Sequence, residues 1–402
     1  MAVDWEQRVN FERMRAYKLD RVRATLDEHD LGALLLFETG NIRYVTNTHI
    51  GYWAFNKLER WALITRNGDP YIWDFGSAAK AHRLQQDWLD ADHSRGGNTG
   101  LQGAIAPTSG LPERAAREIK SVLDAEGVGE MRVGIDIVEF SMLEQLQAAG
   151  IALADGQQAM LTARQIKNPD EIMLLNQAAA MVDAVYQDIY EALKPGMRES
   201  DVVALANKRL YELGSEHVEA VNSIAGERCS PHPHVFSDRI IRPGDQCYFD
   251  IIHAYNGYRT CYYRTFAVGR ATASHRDAYT KAREWIDAAI ELVRPGNTTE
   301  EIARAWPKAQ DFGFPDEMEA FGLQFGHGLG VGLHERPIIS RLNSIENPVE
   351  LQEGMVFALE TYCPASDGHS AARIEEEIVC TAEGPKLLTL FPAEELVVTN
   401  PY

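Results

Sequence analysis

Long apolar runs are missing from this chain of 402 residues. No segment reaches the roughly 20 consecutive apolar residues that a membrane-spanning helix needs, so a membrane protein is not expected. Runs of lysine and arginine are missing as well. With 39 basic against 59 acidic side chains the formal net charge is −20. Such a surface repels phosphate backbones, which sets nucleic acid aside as a ligand. Cysteine is scarce: Cys229, Cys247, Cys261, Cys363 and Cys380 are odd in number and contain no CxxC pair. Disulfides are therefore not the framework. The opening Met1-Ala2-Val3-Asp4-Trp5-Glu6 lacks the basic and then apolar blocks of a secretory signal, and a reducing cytoplasm is the expected home.

What is present is ordinary globular usage, 45% hydrophobic and 24% charged, which argues against disorder. The length exceeds what one core usually holds, so two domains are expected. Residues 11–29 read as a helix leading into Leu31-Gly32-Ala33-Leu34-Leu35-Leu36-Phe37, short enough for a buried strand. Trp61–Ile64 and Pro70–Phe75 flank Asn67-Gly68-Asp69 as a hairpin. A helix from Pro112 to about Glu126 and a strand over 131–136 complete an α/β domain of residues 1–160. The second domain, 161–402, opens where Asn168 can cap a helix with Pro169 in its first turn and acids following. Ile172, Leu175, Ala179, Val182 and Ile189 are spaced for one buried face of that helix, and a second helix is expected over 200–213.

Pro195-Gly196 closes one long helix and Pro295-Gly296 closes another, each followed by a polar segment that starts the next. The echo, about 100 residues apart, suggests a duplicated half-domain. Strands are expected over 246–252 and 262–268, joined by Asn256-Gly257 as a hairpin, and over 355–361 and 372–379. The reading is an α+β domain with a sheet of at least four strands. Three acids stand in those strands: Asp250, Glu360 and Glu375. An ionised carboxylate inside a sheet is costly unless paired or bound to a cation. With His327 in Gly326-His327-Gly328-Leu329-Gly330, the set suits first-row divalent metals such as Mn, Fe, Co or Zn. Ordinary salt bridges to Arg264 and Arg373 are the competing account.

The blocks Arg242-Pro243-Gly244-Asp245…Asp250, Asn256-Gly257-Tyr258 and Tyr263-Arg264-Thr265, then Gly326–Gly330 with His334-Glu335-Arg336-Pro337, Gly354–Glu360 and Arg373-Ile374-Glu375, together resemble the prolidase, methionine aminopeptidase and creatinase superfamily. The resemblance runs from about Arg164 to the C-terminal half's end, and the N-terminal domain is similar to the smaller domain of the prolidase- and creatinase-like members. It implies a "pita-bread" catalytic domain, itself a duplication, a homodimer, and one or two divalent ions. In that family two aspartates, a histidine and two glutamates hold the metal. Asp250, His327, Glu360 and Glu375 match four of them. Cys261 stands where the second aspartate is expected. A thiolate ligand, a single-metal centre and a metal-free creatinase-like site are all open on that substitution.

The same resemblance sets His334 and Glu360 as catalytic groups, with His232 and His234 near the histidine that prolidases keep on the segment leading to the first metal strand. Trp53, Arg60 and Arg373 are the expected substrate contacts, the first two because N-terminal loops can reach over a partner subunit's site in this family. The implied activity is hydrolysis of an Xaa-Pro dipeptide or another small amide or C–N compound. Arg15–Arg23 and Asn41–Thr48 resemble the dimethylsulfoniopropionate lyase branch, which makes a lyase the enzyme alternative. A metal-free amidinohydrolase and a non-catalytic binding protein are the others.

Overall fold

The computed structural model describes residues 9–54 and 58–401. The opening Met1–Glu6, and Phe55, Asn56 and Lys57 within the aromatic 51–61 segment, lie outside the described residues. The chain divides into two compact units, one of Asn10–Arg164 and one that holds Gln165 onward.

In the N-terminal unit the apolar run becomes β1 (Ala33–Leu36), buried along its length. β2 (Trp61–Thr65) and β3 (Tyr71–Asp74) form the expected antiparallel pair, with Trp61 opposite Trp73 and the two indoles stacked 5.5 Å apart. With β4 (Ser94–Gly96), β5 (Val133–Ile135) and β6 (Leu153–Asp155) they make one six-stranded sheet, ordered β4-β3-β2-β1-β5-β6. The unit's helices are α1 (Phe11–Glu28), α2 (Thr39–Thr46), α3 (Gly76–Gln85), α4 (Leu111–Ala125), α5 (Phe140–Ala148) and α6 (Gln157–Gln165). Ile119 and Leu123 of α4 and Met142 and Leu146 of α5 pack on Leu35, Trp61 and Trp73 of the sheet.

The C-terminal unit begins with α7 (Pro169–Ala192), and its cap is the one the residues announce. Glu171 N donates to Asn168 Oδ1 at 2.9 Å while Asn168 N donates to Glu171 Oε2 at 3.0 Å, so two otherwise unpaired amides are satisfied reciprocally. Leu175, Ala179, Val182 and Ile189 are buried as expected, whereas Ile172, one turn from the cap, stays half-exposed. Asn168→Ala is expected to destabilise the fold by about 1 kcal/mol, read as a lower urea midpoint with an unchanged slope.

The Pro-Gly echo is structural. α7 gives way at Pro195-Gly196 to α8 (Glu199–Glu212), and α9 (Ala273–Ile290) gives way at Pro295-Gly296 to α10 (Thr299–Ala305). Gly196 and Gly296 both have left-handed φ, 93° and 91°, which only glycine adopts cheaply. Gly196 N reaches Ile241 O and Gly296 N reaches Leu351 O, each at 2.9 Å. Each half then lays down a hairpin: β8 (Gln246–Tyr255) with β9 (Tyr258–Thr260) and β10 (Tyr263–Val268), and β13 (Val356–Pro364) with β14 (Ala371–Thr381). β11 (Phe325–Gly328) and β12 (Glu335–Ile339) stand between α10 and β13; β7 (His217–Ala225) precedes β8, and β15 (Gly384–Leu387) and β16 (Val397–Thr399) follow β14.

One expectation is corrected here. The four strands do not share one ladder: they fall in two five-stranded sheets, β16-β10-β8-β7 with β9 on β8, and β12-β11-β13-β14-β15. The duplication explains this, since each half pairs its own hairpin. The sheets meet through side chains of β10: Thr265 Oγ1 donates to Arg373 O at 2.6 Å and accepts from Arg373 N at 2.9 Å. His253, whose place suggests a turn, lies inside β8, buried between Ser215 Oγ and Ala178 O at 3.0 Å each. No helix of the described residues is long and apolar enough to cross a membrane.

Candidate metal centre

The duplication sets the acids. Asp250 sits opposite Tyr263 across the first hairpin, and Glu360 sits opposite Glu375 across the second. All three carboxylates line one cavity of about 460 Å³, and all are buried. β8 is buried along its length, and β13 and β14 are buried up to their last residues, so bulk solvent does little to offset these charges.

Cys261 occupies the break between β9 and β10. Its N–H donates to Glu377 Oε1 at 2.8 Å, and the same oxygen accepts the Thr260 hydroxyl at 2.5 Å. Its Sγ lies 3.3 Å from Glu375 Oε1 and 3.5 Å from His327 Nε2, and those two atoms are 3.8 Å apart. His327 Nδ1 lies 3.2 Å from Gly328 O. A carbonyl can only accept, so Nδ1 carries the proton and the Nε2 lone pair faces the sulfur and the carboxylate. Among the described residues Cys261, His327 and Glu375 are the group whose ligand atoms all fall within 4.8 Å of one another.

Asp250 and Glu360 stand beside that trio with protein partners of their own. Asn222 Nδ2 donates to Asp250 Oδ2 at 3.0 Å. Arg373 Nη2 donates to Glu360 Oε2 and, at 2.8 Å, to Gly322 O, and its guanidinium lies 4.1 Å over the Tyr263 ring. One guanidinium faces three carboxylates. Burial pushes Asp250 up to about 6, against the opposing pull of Arg373. It pushes Glu360 up to about 7, again against Arg373. Glu375 is held well above the usual carboxylate range by burial first and by Glu360 and Asp250 second.

Two oxygens decide whether a cation suits this place. Asp250 Oδ1 and Glu375 Oε2 are buried with no hydrogen-bond donor. Buried carboxylate oxygens left without a donor are rare and costly. The donor set of sulfur, imidazole nitrogen and carboxylate oxygen is one that a divalent first-row ion accepts. The residues present fit such an ion.

Of the expected catalytic histidines, His334 and His234 line the same cavity and His232 lies behind Tyr263. His334 packs edge-on against His327, ring centroids 4.5 Å apart, and lines the opening. His232 is buried with Nε2 2.9 Å from Tyr263 OH, and His234 stacks on it at 3.8 Å and lines the wall. Burial lowers all three, His234 to about 4, so these imidazoles are neutral at pH 7. Phe321, Phe325, Ile252 and Leu333 supply an apolar wall.

Arg60 is corrected. It is buried inside the N-terminal unit, where Nη2 meets Asp74 Oδ2 and Thr48 Oγ1 at 2.9 Å each. Asp74 also binds His82 at 3.1 Å. A guanidinium committed to a buried carboxylate is a fold element of its own unit. Trp53, in the same unit, is exposed and stacked on Phe75 at 5.6 Å.

Two residues escaped the sequence reading. Glu377 was foreshadowed by the run Glu375-Glu376-Glu377: strand alternation turns 375 and 377 to one face and 376 to the other, where Glu376 meets Arg264 at 2.8 Å. Tyr263 had no local signal, because its hydroxyl partner comes from a loop 31 residues away.

The family model for metallopeptidase family M24 matches residues 173–382. The chain belongs to metallopeptidase family M24. A second model, the creatinase/prolidase N-terminal domain, matches residues 18–166 of this M24 chain. Among curated relatives, it is 26% identical over 408 residues to dimethylsulfoniopropionate lyase DddP of Roseovarius nubinhibens, covering 95% of this chain and 87% of the lyase. It is 29% identical over 317 residues to the probable dipeptidase PepE of Mycobacterium bovis, covering 78% and 76% of the two chains. Among solved structures, the Xaa-Pro dipeptidase of Bacillus anthracis superposes with a TM-score of 0.77 at 22% identity, over 96% of this chain and 99% of that one. The fold is thus α+β, with a smaller α/β N-terminal domain and a pita-bread C-terminal domain. The enzyme family expected from the motifs is met.

Proposed function

We propose that this chain is a metal-dependent hydrolase of a small C–N substrate, of the Xaa-Pro dipeptide kind or another small amide. The observation that carries the reading is the convergence of Cys261, His327 and Glu375 beneath a cavity that also holds two further buried carboxylates. About 460 Å³ is the size range of small-ligand sites. Relatives named as dipeptidases support the substrate class.

Cys261, His327 and Glu375 would hold a divalent ion, with Asp250 and Glu360 beside them. What a divalent ion supplies there when bound is Lewis-acid polarisation of the scissile carbonyl and a more acidic water. Glu360, with a proton affinity raised to near neutrality by burial, takes a proton at its carboxylate and returns it to the leaving nitrogen. Arg373 fixes the rotamer of Glu360 and is also the cation nearest a substrate carboxylate. His334, neutral at the opening, donates to the developing oxyanion or to the leaving nitrogen. His232, through Tyr263, and His234 line the side on which the substrate enters. The apolar wall keeps bulk water from the reacting atoms. The family resemblance adds a homodimer, which sedimentation velocity tests.

A second reading rests on the DddP likeness, which spans 95% of this chain: a lyase that removes a proton and expels a small leaving group. One panel separates the two. Purified protein, as isolated and after chelation with Zn, Co or Mn restored, is assayed with Xaa-Pro dipeptides for free proline and with dimethylsulfoniopropionate for dimethyl sulfide. Proline release that disappears on chelation and returns with metal is the expected result. Dimethyl sulfide alone would sink the hydrolase reading, and turnover indifferent to chelation would sink the metal.

A further inference from the structure

We infer that the centre takes a single ion through Cys261, His327 and Glu375, and that these ligands select a thiophilic cation, Zn(II), Co(II) or Fe(II), over Mn(II) and Mg(II). The inference rests on the metal reading above and decides the number and kind of ion. Three observations carry it. First, the trio alone brings its ligand atoms within 4.8 Å among the described residues, and its one sulfur is soft where an aspartate would offer two hard oxygens. A carboxylate can bridge two hard cations; a thiolate here, packed between one imidazole and one carboxylate, completes one.

Second, the other two acids are each engaged by the protein through one oxygen, Asp250 Oδ1 being left without a donor. Asp250 receives the Asn222 amide at 3.0 Å, and Glu360 is clamped by Arg373, whose guanidinium rests on Tyr263. A second ion at Asp250 would lack the oxygens that an aspartate at position 261 would supply and would stand in the field of that guanidinium. Third, Glu375 Oε2 is buried, without a donor, beside the thiol. It offers charge where the trio needs it. Glu377 and Thr260 hold the Cys261 backbone in place, so the sulfur is presented at a fixed position. As the sulfur–metal bond forms, the thiol proton passes to solvent.

The test uses the full-length protein stripped by chelator and titrated separately with Zn(II), Co(II) and Mn(II). Bound metal is counted after desalting, and the cobalt form is followed by absorption. Expected are about one Zn or Co per chain, a near-ultraviolet sulfur-to-cobalt charge-transfer band, and Mn(II) held more weakly than Zn(II) by a margin that depends on the Cys261 sulfur. Cys261→Ser removes the band. Cys261→Asp narrows the Zn/Mn gap about tenfold or more and raises the stoichiometry above one. Circular dichroism and the melting temperature of each variant show whether it is folded. Two ions per wild-type chain, or a cobalt spectrum indifferent to Cys261→Ser, overturns this inference and leaves the hydrolase reading standing. No bound metal in wild type overturns both.

Discussion

Glu375→Gln is expected to cost the enzyme its ion and, on the order of 1,000-fold or more, its kcat/KM, since electrostatic stabilisation of a transition state is commonly worth that much. Glu375 is the residue on which the site converges. It faces Glu360 across β13 and β14, its Oε1 lies 3.3 Å from Cys261 Sγ and 3.8 Å from His327 Nε2, and its Oε2 is buried without a donor. Glutamine keeps the volume and removes the charge. The same change relieves repulsion with Asp250 and Glu360, so the metal-free variant is expected to melt higher than the metal-free wild type. Loss of activity with a gain in metal-free stability distinguishes a missing ligand from a misfolded protein. Metal content, turnover and a thermal melt on one preparation are the measurements. A variant that keeps its ion and its turnover would place the chemistry elsewhere.

The second large effect is in pH. Metal-free protein is expected to lose stability between about pH 6.5 and pH 8.5, with a melting temperature that falls by on the order of 5 °C or more. The sign follows from proton counts. Burial raises Glu360 to about 7 and Glu377 to about 8, and holds Glu375 well above the usual range, while the unfolded chain titrates near the ordinary value of 4.5. In that window the folded state binds more protons than the unfolded one, so stability falls as pH rises. Below about pH 6.5 the buried His327, lowered to about 3 by burial, works the other way. There the unfolded chain gains protons that the folded one refuses. The carboxylate slope is therefore clean above that pH. Saturating Zn(II) is expected to flatten it, because a bound cation favours the ionised carboxylates. A melting temperature that rises with pH in metal-free protein would mean that these acids are compensated already.

The sequence by itself determined every feature whose cause is local. The cap at Asn168 needs only Asn168 and Glu171 three residues on. The hairpin at Asn256-Gly257 needs two residues that accept positive φ, 48° and 86° here. Asp250, Glu360 and Glu375 stood out because a carboxylate in an otherwise apolar strand violates a rule visible within a few residues, and the Pro-Gly echo marked the duplication because the same helix stop recurs. Tertiary structure alone decided the partners. Cys261 meets His327 and Glu375 from 66 and 114 positions away, Glu360 is claimed by Arg373, and two hairpins expected in one sheet belong to two. Arg60 has the same lesson: nothing near it in sequence announces Asp74, the carboxylate it is buried against. Periodicity and turn chemistry act over a handful of residues and are written in the chain. Which charge compensates which is settled by register and packing between segments that only the folded molecule brings together.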